Sequence, residues 1–325
     1  MKTIVFIKAY PIIQIGHMYE HLYAIALVEK LRNHKLYEFV DYYLSGHTYD
    51  SGVVELEIEV YSTAVEEVIS KLNSISPIMD EDEIMNVWNA IEAEERSFLG
   101  FTSHEEIKSS LQDINNQEWQ RLDKIDFIKK LVIPDDQSPL YTAEGKYRGS
   151  NSLQITFSFK LQNDQQDTEL LPLFDQVSRA IGYNAQYMIT RELGLYYENI
   201  EGKYEAGEMK TYLEFLAYPE FEMDAKDIHD DIVDLIDELK NGGMFKRLVS
   251  LLAPSDATSY KLFRPGLKNI YERTNQIIGG EGWNRIVTNE NVEYLLKNMV
   301  IEVSRIPLKG NNKTRSVHNK SILSL

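Results

Sequence analysis

The chain has 325 residues, 43% hydrophobic and 26% charged, a globular rather than disordered balance and long enough for two domains with separate cores. Its formal net charge of -17 argues against a general nucleic-acid binder, because phosphate recognition needs clustered cations. The chain has no cysteine, so disulfides, thiolate ligands and a cysteine nucleophile are excluded.

The first strand expected is Thr3 to Lys8. Its apolar run is too short for a signal-peptide core and ends in a charge. No stretch approaches the roughly 18 to 20 apolar residues of a membrane span, so a cytoplasmic protein is expected. A helix follows, reaching about Arg32, then an aromatic strand from Tyr37 to Leu44 and a turn at Ser45-Gly46. From Val53 to Val60 apolar and acidic residues alternate, as in a strand covered on one face. Helices are expected from about Ala64 to Leu72 and from Asp82 to Leu99. Pro134 to Pro139 and Gly145 to Ser152 are polar and turn-rich, and read as a linker.

The second half begins with a strand at Leu153 to Phe159, then a helix from about Leu170 to Leu193 closed by Gly194. Strands follow at Tyr196 to Ile200 and Met209 to Leu216. Asp224 caps a helix that reaches Leu239 and stops at Gly242-Gly243. Strand, helix, strand, strand, helix thus occurs twice. The expected class is α+β, with two related domains (1–140 and 141–325), each an antiparallel or mixed sheet with helices on one face. The tail from Lys309 to Lys320 is basic and polar.

The segment His17-Met18-Tyr19-Glu20-His21 carries chemistry. Two imidazoles four positions apart on a helix share a face and can hold one metal ion. Glu20, three residues after His17, points to the same side and can polarise a metal-bound water. The order H-x-x-E-H is that of the inverted zincins. Zinc on two histidines needs one carboxylate, leaving a fourth position for water. The helix from Asp82 offers Glu92, Glu94 and Glu95. Its apolar stripe runs through Ile84, Val87, Trp88 and Ile91. Glu95 lies within that stripe, Glu92 at its edge and Glu94 at the opposite edge. A buried carboxylate is costly unless a cation compensates it, so Glu95 ranks ahead of Glu92.

On these residues the chain resembles the pitrilysin and mitochondrial-processing-peptidase family of zinc peptidases. That family carries H-x-x-E-H on its first helix and a glutamate roughly 70 to 77 residues downstream, a range holding both Glu92 and Glu95. Ser45 to Thr48 and the strand Val53 to Val60 resemble the family segment where a substrate strand docks. Thr190-Arg191-Glu192-Leu193-Gly194-Leu195-Tyr196-Tyr197 resembles its R-E-x-x-G-L-x-Y signature, with the arginine displaced by one place. The resemblance implies a Zn2+ endopeptidase for unstructured peptides, with Glu20 as general base and Tyr197 or Arg191 stabilising the oxyanion. It also implies a homodimer or heterodimer, because the family closes two pairs of such domains around a chamber. The alternative is a non-catalytic or partner-dependent subunit of a heterodimeric peptidase. Plainer readings exist for some residues: His17 and His21 as interior histidines beside Ala24, Val28 and Leu31, Arg191-Glu192 as a surface pair, and Tyr196-Tyr197 as a strand start.

Overall fold

Alternation along the first strand separates two faces. In β1 (Lys2–Ala9), Ile4 and Phe6 enter one core while Val5 and Ile7 enter a smaller cluster on the opposite side. The computed structural model describes residues 2–49, 51–95, 97–99, 103–122, 143–147, 151–160, 164–205, 208–217, 221–222, 224–253 and 284–307. Helix α1 (Ile13–Asn33) follows, ended by Lys35 in the left-handed region (φ 59°). It is a core helix: Tyr19, Leu22, Tyr23, Leu27 and Leu31 are all buried. Strands β2 (Tyr42–Thr48) and β3 (Val53–Val60) form a hairpin. Val54, Leu56, Ile58 and Val60 pack with α1, leaving Glu55, Glu57 and Glu59 on the other face.

Two local expectations are corrected here. Residues 37–41 form a turn instead of the start of a strand, with Phe39 at φ 71°. Tyr37 N donates to Asp41 Oδ2 at 2.9 Å, a side-chain bond that competes with strand pairing. Ser45 and Gly46 lie inside β2, and the hairpin reverses after Tyr49, where Gly52 takes φ 76°.

Helix α2 (Thr63–Ile69) is capped by Ser62. Helix α3 (Glu81–Glu95) ends sooner than its periodicity suggests, because β4 (Ser97–Leu99) leaves to pair with β6 (Ala143–Tyr147). Between them come α4 (His104–Asn115) and β5 (Gln120–Leu122). Part of the expected linker is therefore strand, since β6 takes residues 145–147 and β7 (Asn151–Lys160) begins before 152. Residues 134–139 and the basic tail lie outside the described residues.

The second half runs β7, α5 (Asp164–Leu193), β8 (Tyr196–Glu205), β9 (Glu208–Ala217), α6 (Ala225–Asn241), α7 (Met244–Leu252), α8 (Asn289–Asn298) and β10 (Val300–Pro307). Asp224 caps α6 by accepting from Lys226 N at 2.8 Å.

The result is a mixed α+β fold with two antiparallel four-stranded sheets. Their strand orders, β2-β3-β1-β5 and β8-β9-β7-β10, are the same. Cross-strand rows correspond as well: Gly46 faces Leu56, which faces Phe6, and Gly202 faces Thr211, which faces Phe157. The cores interlock. Tyr37, Phe39 and Val40 pack into the second cluster, and Tyr187 of α5 packs against the first. Among the described residues no helix is long and apolar enough to cross a membrane.

Candidate metal centre

Helical spacing brings His17 and His21 together. Their Nε2 atoms are 3.1 Å apart, with ring centroids at 4.9 Å. From α3, which packs against α1, Glu94 places Oε2 at 3.2 Å from His17 Nε2 and 3.7 Å from His21 Nε2. One ligand atom from each of the three residues lies within 4.8 Å of the others.

Glu94 Oε2 is buried without a hydrogen bond, an orphaned acceptor aimed at two imidazole nitrogens. Ligands about 2.0 to 2.1 Å from a tetrahedral zinc stand roughly 3.3 to 3.4 Å from one another. The measured separations bracket that span, and two imidazoles with one carboxylate are a donor set zinc accepts. The residues fit the metal.

Protonation favours ligation. Burial, reinforced by the charge of His17, lowers the pKa of His21 to about 4, so near neutral pH its ring offers a lone pair. Burial alone would raise Glu94, yet the charge and contact of His17, together with His21 and the nearby Tyr196 phenol, hold it down at about 2. Its carboxylate is therefore ionised.

Glu20 sits beside the cluster under opposite influences. Only 8% of it is exposed, and burial raises its pKa to about 7 although the charge of His17 and a hydrogen bond from Thr48 oppose the shift. Thr48 Oγ1 donates to Glu20 Oε2 at 2.6 Å. Gly46 makes the space, since a Cβ there would stand 2.9 Å from Glu20 Cδ and overlap its Oε1. The edge strand β2 thus presses its backbone on the carboxylate.

The second half contains a counterpart. Asp175 of α5 presses on Gly202 of β8 in the same way. Its cation is internal: Arg179 Nε donates to Asp175 Oδ2 at 3.0 Å. Pro172 and Gln176 stand at the spacings from Asp175 that His17 and His21 hold from Glu20.

Other expected site residues lie elsewhere. The carboxylate meeting the histidines is that of Glu94, not Glu92. Residues two places apart on a helix differ by about 200° in direction, so with Glu94 turned to α1, Glu92 turns away. The side chain of Glu95, the last residue of α3, is outside the described residues. The signal for Glu94 was present: Ala90 and Ala93 are as buried as Val87 and Ile91. Counting these small residues carries the stripe round to Glu94.

Arg191 joins three helices. It forms an ion pair with Glu29 of α1, and its Nε donates to Glu83 Oε1 of α3 at 2.5 Å. Tyr197 packs edge-on against Phe215 at 6.0 Å between ring centroids. Its neighbour Tyr196 is the tyrosine at the cluster, its ring 6.5 Å from the His21 ring between centroids. Gly194, at φ 63°, turns the chain between α5 and β8.

No protein-family model and no curated protein matches the chain. Among solved structures it is similar to the ferredoxin protease FusC, solved in complex with Arabidopsis ferredoxin, at 11% identity and TM-score 0.28, covering 94% of this chain and 42% of that one. It is also similar to the periplasmic protease PqqL of Escherichia coli, at 12% and 0.26, covering 94% and 43%. A Helicobacter pylori protease matches at 11% and 0.26 over 93% of both chains. Pitrilysin matches at 11% and 0.26, covering 95% and 41%. The chain spans less than half the length of FusC, PqqL and pitrilysin. At these identities and TM-scores the resemblance to these proteases of the pitrilysin-like type carries no argument about this chain's activity.

Proposed function

We propose that the chain is a zinc-dependent endopeptidase acting on unstructured peptides, with His17, His21 and Glu94 as the residues that hold the metal. The observation that carries the reading is the meeting of two imidazole nitrogens with an orphaned carboxylate oxygen, beside a separate buried glutamate. When bound, zinc would supply a Lewis acid at the scissile carbonyl and draw the pKa of a water towards about 7.

Glu20 does the proton work. A base whose pKa lies near the working pH takes a proton from attacking water and returns it to the leaving amine most effectively. Thr48 orients the carboxylate and Gly46 admits it. The edge position of β2 gives an extended peptide backbone groups to pair with, next to Glu20. Arg191 is committed to Glu29 and Glu83, which leaves its guanidinium engaged away from the oxyanion role expected of it.

That commitment favours a second reading, a metal-binding subunit whose activity depends on a related partner. Either form works as a dimer, each chain supplying one pair of sheets. The two readings separate with Glu20→Gln, assayed for zinc content and for cleavage of a mixed peptide library. Retained zinc with cleavage lost from an active wild type supports the enzyme. A zinc-loaded wild type that cuts no peptide supports the subunit.

A further inference from the structure

Two helices supply the residues of the metal centre, and one side chain from the second half ties the same two helices together further along. His17 and His21 stand on α1, and Glu94 on α3. Arg191, near the end of α5, forms ion pairs with Glu29 of α1 and Glu83 of α3. Glu29 comes after the histidines on α1, whereas Glu83 comes before Glu94 on α3. The helices therefore run antiparallel, with the metal centre as one rung between them and Arg191 as another. At 1.5 Å per residue the rungs are about 12 to 18 Å apart along α1 and about 16 Å apart along α3. The two spans agree.

The chemistry of the second rung suits a clamp. Arg191 Nε donates to Glu83 Oε1 at 2.5 Å and Nη1 donates to Glu29 Oε1, so separate nitrogens of one planar fork serve two carboxylates at once. The backbone holds the fork in place: Asn86 Nδ2 of α3 donates to Arg191 O at 2.7 Å. Gly194, three residues on, passes so close to α3 that a Cβ would stand 2.9 Å from Asn86 O. Without the guanidinium, two carboxylates within reach of a single cation would face each other across the α1–α3 contact, and like charges push apart.

We propose, resting on the metal reading above, that Arg191 is a positioning residue for the metal centre, clamping α1 to α3 and so setting the separation at which Glu94 meets His17 and His21. Ligand constellations must be held to within about 0.5 Å, and rigid helices carry a displacement at one rung to the other. Zinc affinity then depends on the second half of the chain, although among the described residues the three candidate ligands all belong to the first. By reciprocity, bound zinc tightens the grip of Arg191. Couplings between separate sites are worth about 5- to 150-fold in affinity. Arg191 is one-third exposed, and solvent screening places it at the lower end of that range.

The test is zinc competition against a chromogenic chelator with the full-length wild type, Arg191→Gln, Glu29→Gln and Glu83→Gln. Arg247→Gln is the control, because Arg247 also joins the halves but contacts Asp41 and Lys35 O in the turn that follows α1. The expected result is zinc affinity at least about 5-fold weaker in Arg191→Gln and unchanged in Arg247→Gln. A double-mutant cycle adds a readout that loss of packing would not move: once Arg191 is gone, the Glu29→Gln change costs no further affinity. Wild-type affinity in Arg191→Gln overturns the proposal while leaving the metal reading intact, even if cleavage falls. An equal loss in Arg247→Gln, or additive losses for Arg191→Gln and Glu29→Gln, overturns it too. Should Arg191→Gln fail to fold, the glutamine variants decide, and wild-type affinity in both Glu29→Gln and Glu83→Gln overturns the clamp. A wild type that takes up no zinc overturns both the proposal and the metal reading.

Discussion

Glu20 is a carboxyl group held in the protein interior, and metal-free protein should reveal the cost. In the unfolded chain its pKa is the ordinary 4.5, and in the fold, burial raises it to about 7. Below the unfolded value both states hold the proton and folding carries no penalty. As pH rises from 4.5 to 7 the unfolded state releases its proton while the folded state keeps it, so stability falls, and above 7 the loss is complete. A displacement of about 2.5 units at 1.36 kcal/mol each is about 3 kcal/mol, of which about 2 kcal/mol falls between pH 5.5 and 7. Glutamine keeps the shape, can accept the Thr48 hydrogen bond and does not titrate. Chelator-treated Glu20→Gln should therefore gain about 2 kcal/mol over wild type between pH 5.5 and 8.5, and be the more stable protein at the alkaline end. Urea unfolding at several pH values measures the difference, using the transition that the substitution moves. A difference that does not vary with pH, or a variant less stable at pH 8.5, would refute the reasoning.

Two further outcomes follow from close approaches of backbone to side chain. Gly46→Ala places a methyl against the Glu20 carboxylate, so peptide cleavage should fall at least about 100-fold while zinc content stays at the wild-type level. Metal analysis with turnover on one preparation checks this. Gly194→Ala puts a Cβ both in the left-handed region and against Asn86 O, and should cost about 2 kcal/mol or more of stability, measured by chemical unfolding.

Much of the fold was legible because its elements obey simple periods. The alternation in Val53 to Val60 marked a strand, though its acidic face is partly covered too, with Glu55 buried and Val53 packed beside Val5 and Ile7, and the repeat of strand, helix, strand, strand corresponds to two sheets with one strand order. What failed was local. Ser45-Gly46 has turn composition, yet the glycine is there because Glu20 needs its missing side chain, a contact between residues far apart in sequence. The break after Glu95 depends on β4 pairing with a strand more than forty residues away, which no window along the chain detects. At the site, the spacing of His17 and His21 suffices to bring their rings together, because a helix fixes it. The carboxylate was harder, since the last turn of α3 offers three glutamates and small alanines, not bulky residues, mark the face that meets α1. Tyr196 and Tyr197 differ by one place and point to opposite sides of a strand. Tyr196 is the one beside the His21 ring.

The central claim is that His17, His21 and Glu94 together make a zinc site. Calorimetric titration of zinc into metal-stripped wild type, Glu94→Gln and Glu92→Gln tests it most directly. The account predicts one tightly bound ion per chain in wild type and Glu92→Gln, and binding weakened at least about 100-fold in Glu94→Gln. A wild type without tight binding, or a Glu94→Gln protein that binds as the wild type does, would contradict it.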